Sequence, residues 1–93
     1  MSLYEQTRKE IEDILRDAFS PSNLSVLDDS KAHQGHLEAL AHPGSGHFIV
    51  VMQSAQFDGK NAVERHRLVY GKLASLMDSR IHALRLQLKA SNE

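Results

Sequence analysis

Phe48-Ile-Val-Val-Met52 is the longest unbroken apolar run in this 93-residue chain. Crossing a bilayer takes about 20 such residues, so the run is too short for a membrane and too apolar for a surface segment. It has the pattern of a strand buried on both faces. The expectation is therefore a sheet with His47 to Ser54 at its centre. Two further segments can pair with it. Leu24 to Leu27 is short and apolar enough for a strand. Ile81 to Leu88 alternates, with His82, Leu84, Leu86 and Leu88 on one side and Ile81, Ala83, Arg85 and Gln87 on the other.

Two segments have helical periodicity. Ser2 and Glu5 stand at capping-box spacing. Tyr4, Ile11, Leu15 and Ala18 then form one stripe, with Ile14 beside it, until Ser20-Pro21-Ser22-Asn23 stops the helix. Asn61 and Glu64 repeat the capping-box spacing and open a helix over 61–77. Ala62, His66, Val69, Leu73 and Leu76 share its apolar face, with His66 at the core edge, while Arg65 and Lys72 lie off that face. Arg65 and Arg67 are read as exposed, ready to pair with Glu64 or an anionic partner. The order helix, strand, strand, helix, strand implies one three-stranded mixed sheet with both helices on one face. The last two strands can be parallel, because a helix joins them. Ile11, Leu15, Val50, Val69, Leu73, Leu84 and Leu86 are the expected core. The last five residues should fray, leaving one domain over 1–93 with an ordered part of about 2–88.

Composition narrows the function. Eleven basic and 12 acidic residues give a net charge of −1, without the basic excess usual in a dedicated nucleic-acid module. The chain has no cysteine, which excludes disulfides, thiolate nucleophiles and Cys-based metal sites built from this chain alone. No nucleophile elbow, Walker loop, His-Glu-x-x-His or dinucleotide fingerprint occurs, and the chain reads as a binding protein rather than an enzyme. Met1-Ser2-Leu3-Tyr4-Glu5 lacks the apolar core of a secretory signal. The expected location is cytoplasmic, bacterial cytosol first, or a mature organellar form.

The remaining chemistry lies in six histidines, four of which (His33, His36, His42 and His47) lie in or beside the irregular stretch 28–46. His33-x-x-His36 has metal-ligand spacing but lacks a second pair to complete a zinc site. His47 and His82 each begin a strand, and they converge if those strand starts are neighbours.

The chain resembles BolA proteins from its first helix to about Leu88. The segments that carry the resemblance are Leu24-Ser-Val-Leu-Asp-Asp-Ser-Lys-Ala-His-Gln-Gly-His36, Gly46-His-Phe-Ile-Val50, Phe57-Asp-Gly-Lys60, Val63-Glu-Arg-His-Arg-Leu-Val-Tyr70 and Ile81-His-Ala-Leu84. Each is short, and their order and spacing together are specific. The resemblance implies an α+β, class II KH-like fold. It implies an adaptor that binds a monothiol glutaredoxin and shares a 2Fe–2S cluster, with glutathione supplying a thiolate, in iron–sulfur assembly, trafficking or iron sensing. In that reading His82 is the ligand from the Ile-His-Ala-Leu motif. The second ligand is His47, with His33, His36 and His42 as alternatives from the loop. Alone, the protein would be a colourless monomer. The resemblance also implies an alternative role, as a DNA-binding regulator of stress response and cell morphology. There Gly59, Lys60, Arg65, Arg67 and Lys72 would form the KH-like surface. Ala62 stands where the Gly-x-x-Gly loop of KH modules has its second glycine, and Asp58 adjoins it, so any nucleic-acid binding should be weak and salt-sensitive.

Overall fold

The computed structural model describes residues 2–30 and 46–93. Helix α1 spans Leu3–Phe19, strand β1 Asn23–Asp28, strand β2 Gly46–Gln53, helix α2 Ala62–Lys72, helix α3 Ala74–Met77 and strand β3 Ile81–Lys89, with a 3-10 turn at Ala55–Phe57. The sheet order is β1-β2-β3. β1 runs antiparallel to β2, with Val26 opposite Val50. β2 runs parallel to β3, with Val50 opposite Leu86. The expected mixed sheet is present, and one core joins it to the helices.

Local chemistry sets the boundaries. Ser2 accepts the Glu5 N–H at 3.1 Å, but the Glu5 carboxylate turns to Arg8 at 2.8 Å, so only half of that capping box forms. At α2 the box is complete: Asn61 accepts from Glu64 N, and Glu64 returns the bond to Asn61 N, each at 2.9 Å. The single helix expected over 61–77 is interrupted at Leu73, whose backbone (φ −97°, ψ 7°) leaves the helical range between α2 and α3. Gly59 turns the chain with φ +74°, a conformation that disfavours any residue with a Cβ.

The core is one cluster: Ile11, Leu15 and Phe19 from α1, Phe48, Val50 and Met52 from β2, and Val69, Leu73 and Leu76 from α2 and α3, with Phe57 and Ile81. The Phe19 and Phe57 ring centroids lie 5.2 Å apart. Burial alternates strictly along β2. Phe48, Val50 and Met52 are shut in, while Ile49 and Val51 are half-buried, so β2 is buried on one face rather than two. The expectation failed because both helices lie on the same side and leave the other side to aliphatic residues in partial contact with solvent. Leu84 and Leu86 are half-buried, not fully buried, because β3 is an edge strand.

On α2, Val69 is buried, as is Leu73 just beyond its end, while Ala62 and His66 are exposed, so the apolar face is narrower than its spacing implied. The end of the chain is tied down rather than frayed. Ala90 is buried. The Ser91 N–H and hydroxyl donate to the two oxygens of Asp58 at 2.8 and 2.7 Å. Glu93 accepts from Ala90 N and from Arg65, each at 2.6 Å.

Candidate functional site

The site begins with how two strands start. Gly46 N–H donates to Arg80 O at 3.1 Å, joining the first residue of β2 to the residue just before β3. The pairing then jumps from Gly46↔Ile81 to His47↔Ala83. β3 therefore carries one extra residue here, a β-bulge, and His82 lies in it. A one-residue insertion inverts which side chains face the core. Ile81 is buried and Leu84 lies against the core on the same side, three residues apart, which plain alternation forbids. His82 consequently does not share a face with Leu84, Leu86 and Leu88, as the uninterrupted pattern implied. It is exposed, and its ring lies against that of His47, with centroids 5.1 Å apart and planes tilted by 49°.

The surroundings hold both histidines. His47 N–H donates to the buried hydroxyl of Ser30 at 3.2 Å, and His47 O accepts from Asp29 N at 2.8 Å. Ser30 is fixed in turn by its N–H to Asp28 Oδ1 at 2.9 Å. On the β3 side, Arg80 Nε donates to the buried Thr7 hydroxyl at 2.8 Å, and its Nη1 lies 3.2 Å from Glu10. The first turns of α1 thus brace Arg80, two residues before His82, at the start of β3.

Two imidazoles each bound about 2.0–2.1 Å from one metal ion, at a roughly tetrahedral angle, have ring centroids about 5 Å apart. The observed pair fits that spacing. Among the described residues, no group of three or more His, Asp or Glu side chains is arranged to hold a metal ion. The pair thus supplies part of a coordination sphere, and further donors must come from elsewhere. His33, His36 and His42 lie outside the described residues.

A depression of about 310 Å³ adjoins the pair on the open face of the sheet, lined by Asp29, His47, Ile49, Ala83 and Arg85 among others. Sequence reasoning missed Ser30, Thr7, Arg80 and Arg85. The first three act through contacts between segments distant in sequence, which no local pattern records. Arg85 was legible only as an outward residue of an alternating strand.

Of the proposed nucleic-acid residues, Arg65 is committed to other contacts. Arg65 is not exposed: its side chain retains 14% exposure. Its Nε donates to Lys60 O at 2.8 Å, and one Nη donates to Leu88 O at 3.3 Å and to Glu93 at 2.6 Å. It pairs with Glu93, not Glu64. The Gly59 turn is flanked by Asp58, whose carboxyl is held below its usual range by the Ser91 N–H and then the Ser91 hydroxyl. Lys60, Arg67 and Lys72 remain as cations with no carboxylate of a described residue in pairing range.

No described helix is long and apolar enough to cross a membrane. Residues 15–93 match the family model for BolA-like protein. The chain is 38% identical over 79 residues to the DNA-binding transcriptional regulator BolA of Escherichia coli, covering 85% of this chain and 70% of that one. Among solved structures it is similar to the BolA domain of SufE1 from Arabidopsis thaliana, with a TM-score of 0.81 and 32% identity over 92% of this chain and 93% of that one. It is also similar to BolA1 from Arabidopsis thaliana, with a TM-score of 0.79 and 32% identity over 91% and 92% of the two chains. The matched region takes in all three strands, the bulge and both histidines, and on that ground the chain belongs to the BolA family.

Proposed function

We propose that this protein is an adaptor in iron–sulfur cluster handling, which binds a monothiol glutaredoxin and shares a 2Fe–2S cluster with it and with glutathione. The observation that carries the reading is the His47–His82 pair, two imidazoles brought to a shared edge by a parallel strand pairing and a bulge. Imidazole ligands on one iron of a 2Fe–2S centre are established chemistry and raise its potential. Bound here, the cluster supplies one-electron chemistry or serves as cargo. The chain's own part is to present ring nitrogens at fixed spacing. Ser30 holds the backbone of His47, and Arg80 holds the start of β3. An adaptor of this kind needs no catalytic residue of its own and works in the cytoplasm or an organelle that keeps thiols reduced. His82 is the principal ligand and His47 the second, with His33, His36 or His42 able to replace it.

The test is co-expression with a monothiol glutaredoxin, followed by absorption and electron paramagnetic resonance spectroscopy of the purified complex. His82→Ala should leave the fold intact, because the side chain is exposed, and should strip the histidine-type signature. His47→Ala should have a smaller effect. A folded His82→Ala complex with an unchanged spectrum refutes the ligand assignment.

A second reading is favoured by the relative named as a DNA-binding transcriptional regulator, and by Lys60, Arg67 and Lys72. With Arg65 committed to Glu93, this surface supports only weak, salt-sensitive binding to DNA. Tight, sequence-selective binding of a labelled duplex at physiological salt would establish it as the principal function.

A further inference from the structure

The depression beside the histidine pair has an uneven charge distribution. On its β3 side stands Arg85, exposed and set opposite Ile49 on the neighbouring strand. No carboxylate of a described residue lies within pairing range of Arg85. The arginines of α1, by contrast, are paired within the helix: Arg8 with Glu5 and Glu12, and Arg16 with Glu12. Along β3 the next outward residues are Gln87 and Lys89, and the strand contains no acidic residue. The carboxylate on the pocket wall, Asp29, belongs to the other side, opposite His47, with β2 between its segment and β3.

Position gives the cation a use. His47 lies opposite Ala83 and Ile49 opposite Arg85, so Arg85 stands two residues along β3 from the level of the histidines, about 6–7 Å of strand rise. A guanidinium beside an aliphatic floor binds a carboxylate through charge-assisted, often paired hydrogen bonds. The volume of about 310 Å³ is at the small end of ligand sites, about 300–1,000 Å³. That is the scale of a small ligand or a short peptide.

We propose that the Arg85 pocket is a carboxylate-recognition site for a small anionic thiol peptide of the glutathione class. Such a ligand places a carboxylate on Arg85 and directs its sulfur toward the His47–His82 edge. The identity of the ligand rests on the function proposed above, whereas the anion site rests on the pocket alone. The pocket would make this chain a participant in recognising the thiol ligand as well as a donor of imidazoles.

The experiment is a titration of the isolated, isotope-labelled protein with reduced glutathione, followed through backbone amide chemical shifts. Saturable shifts are expected at Ile49, Ala83 and Arg85. Arg85→Gln should weaken binding about 10- to 15-fold, the low end for losing a charged hydrogen bond. Arg85→Lys should lose less, since it keeps the charge. Glutathione with both carboxylates esterified should bind wild type as poorly as glutathione binds Arg85→Gln. The proposal is overturned if Arg85→Gln titrates like wild type, if the esterified peptide binds as well as the free acid, or if no shift appears at these residues. Neither metal nor glutaredoxin is present, so this failure is distinct from a failed cluster spectrum in the His82→Ala complex.

Discussion

Replacing Gly46 by Ala tests whether the start of β2 is packed as tightly as the site requires. A Cβ at Gly46 would fall 2.6 Å from Ser30 Oγ and 2.8 and 2.9 Å from two carbons of the Phe48 ring. The obstacle is steric, since the positive backbone φ that favours glycine occurs at Gly59 and not here. Neither neighbour can retreat cheaply. Ser30 is buried and holds His47 N, and the Phe48 ring is 1% exposed within the core. Overpacking of this kind costs about 1–3 kcal/mol. For a domain of this size each kcal/mol lowers Tm by about 4–8 °C, so a fall of about 5–20 °C is expected in a thermal melt followed by circular dichroism. Gly71→Ala is the matched control. It adds the same methyl group to a helix where nothing lies within 4 Å, and should stabilise by about 0.5–1 kcal/mol. If Gly46→Ala melts within about 2 °C of wild type, under 0.5 kcal/mol by the same conversion, the start of β2 is looser than described and cannot fix the spacing of the two histidines.

The remaining predictions concern the caps and the acid limb of stability. Asn61→Ala removes a complete capping box and should cost about 0.5–2 kcal/mol in a denaturant titration. Glu12 is held below the usual carboxylate range chiefly by Arg8, Asp58 by Ser91 and Glu93 by Arg65. A carboxyl with a lowered folded-state pKa contributes stability that is fully present above its unfolded value, about 4–4.5. That contribution is lost as pH falls through the lower folded value. Tm should therefore be level from pH 7 to about 5 and drop below about pH 4, and Asp58→Asn should make the drop shallower. An identical acid limb in that variant would show that the Asp58–Ser91 tie contributes nothing.

The elements were legible where they depend on neighbours in sequence. Asn61 and Glu64 announced α2 because a capping box is a local exchange of two bonds. The convergence of His47 and His82 was also within reach, since a helix between two strands permits parallel pairing and parallel strands place their starts together. The bulge was not legible. Ile81 to Leu88 alternates without interruption in the sequence, and only pairing with β2 shows that one residue is extra. The same limit hid the fate of Arg65. Its partner Glu93 lies 28 residues away, in a segment whose polar composition reads as a loose end. Thr7 shows the converse case. It is a polar residue on the inward side of α1, buried because its hydroxyl donates to Leu3 O and accepts from Arg80.

β3 is an edge strand, and its last backbone carbonyl inward, Lys89 O, accepts from Ser54 N. Alternation then turns the carbonyls of Leu84 and Leu88 outward. Both are occupied by α2: Tyr70 Oη donates to Leu84 O, and Arg65 to Leu88 O, each at 3.3 Å. An uncapped edge invites another chain to add a strand, the first step toward aggregation. Here two side chains from a helix occupy two of the carbonyls an incoming strand would need. On the β3 side, then, a helix that packs on the sheet also guards the sheet's edge, and lateral growth from β3 would first have to displace Tyr70 and Arg65.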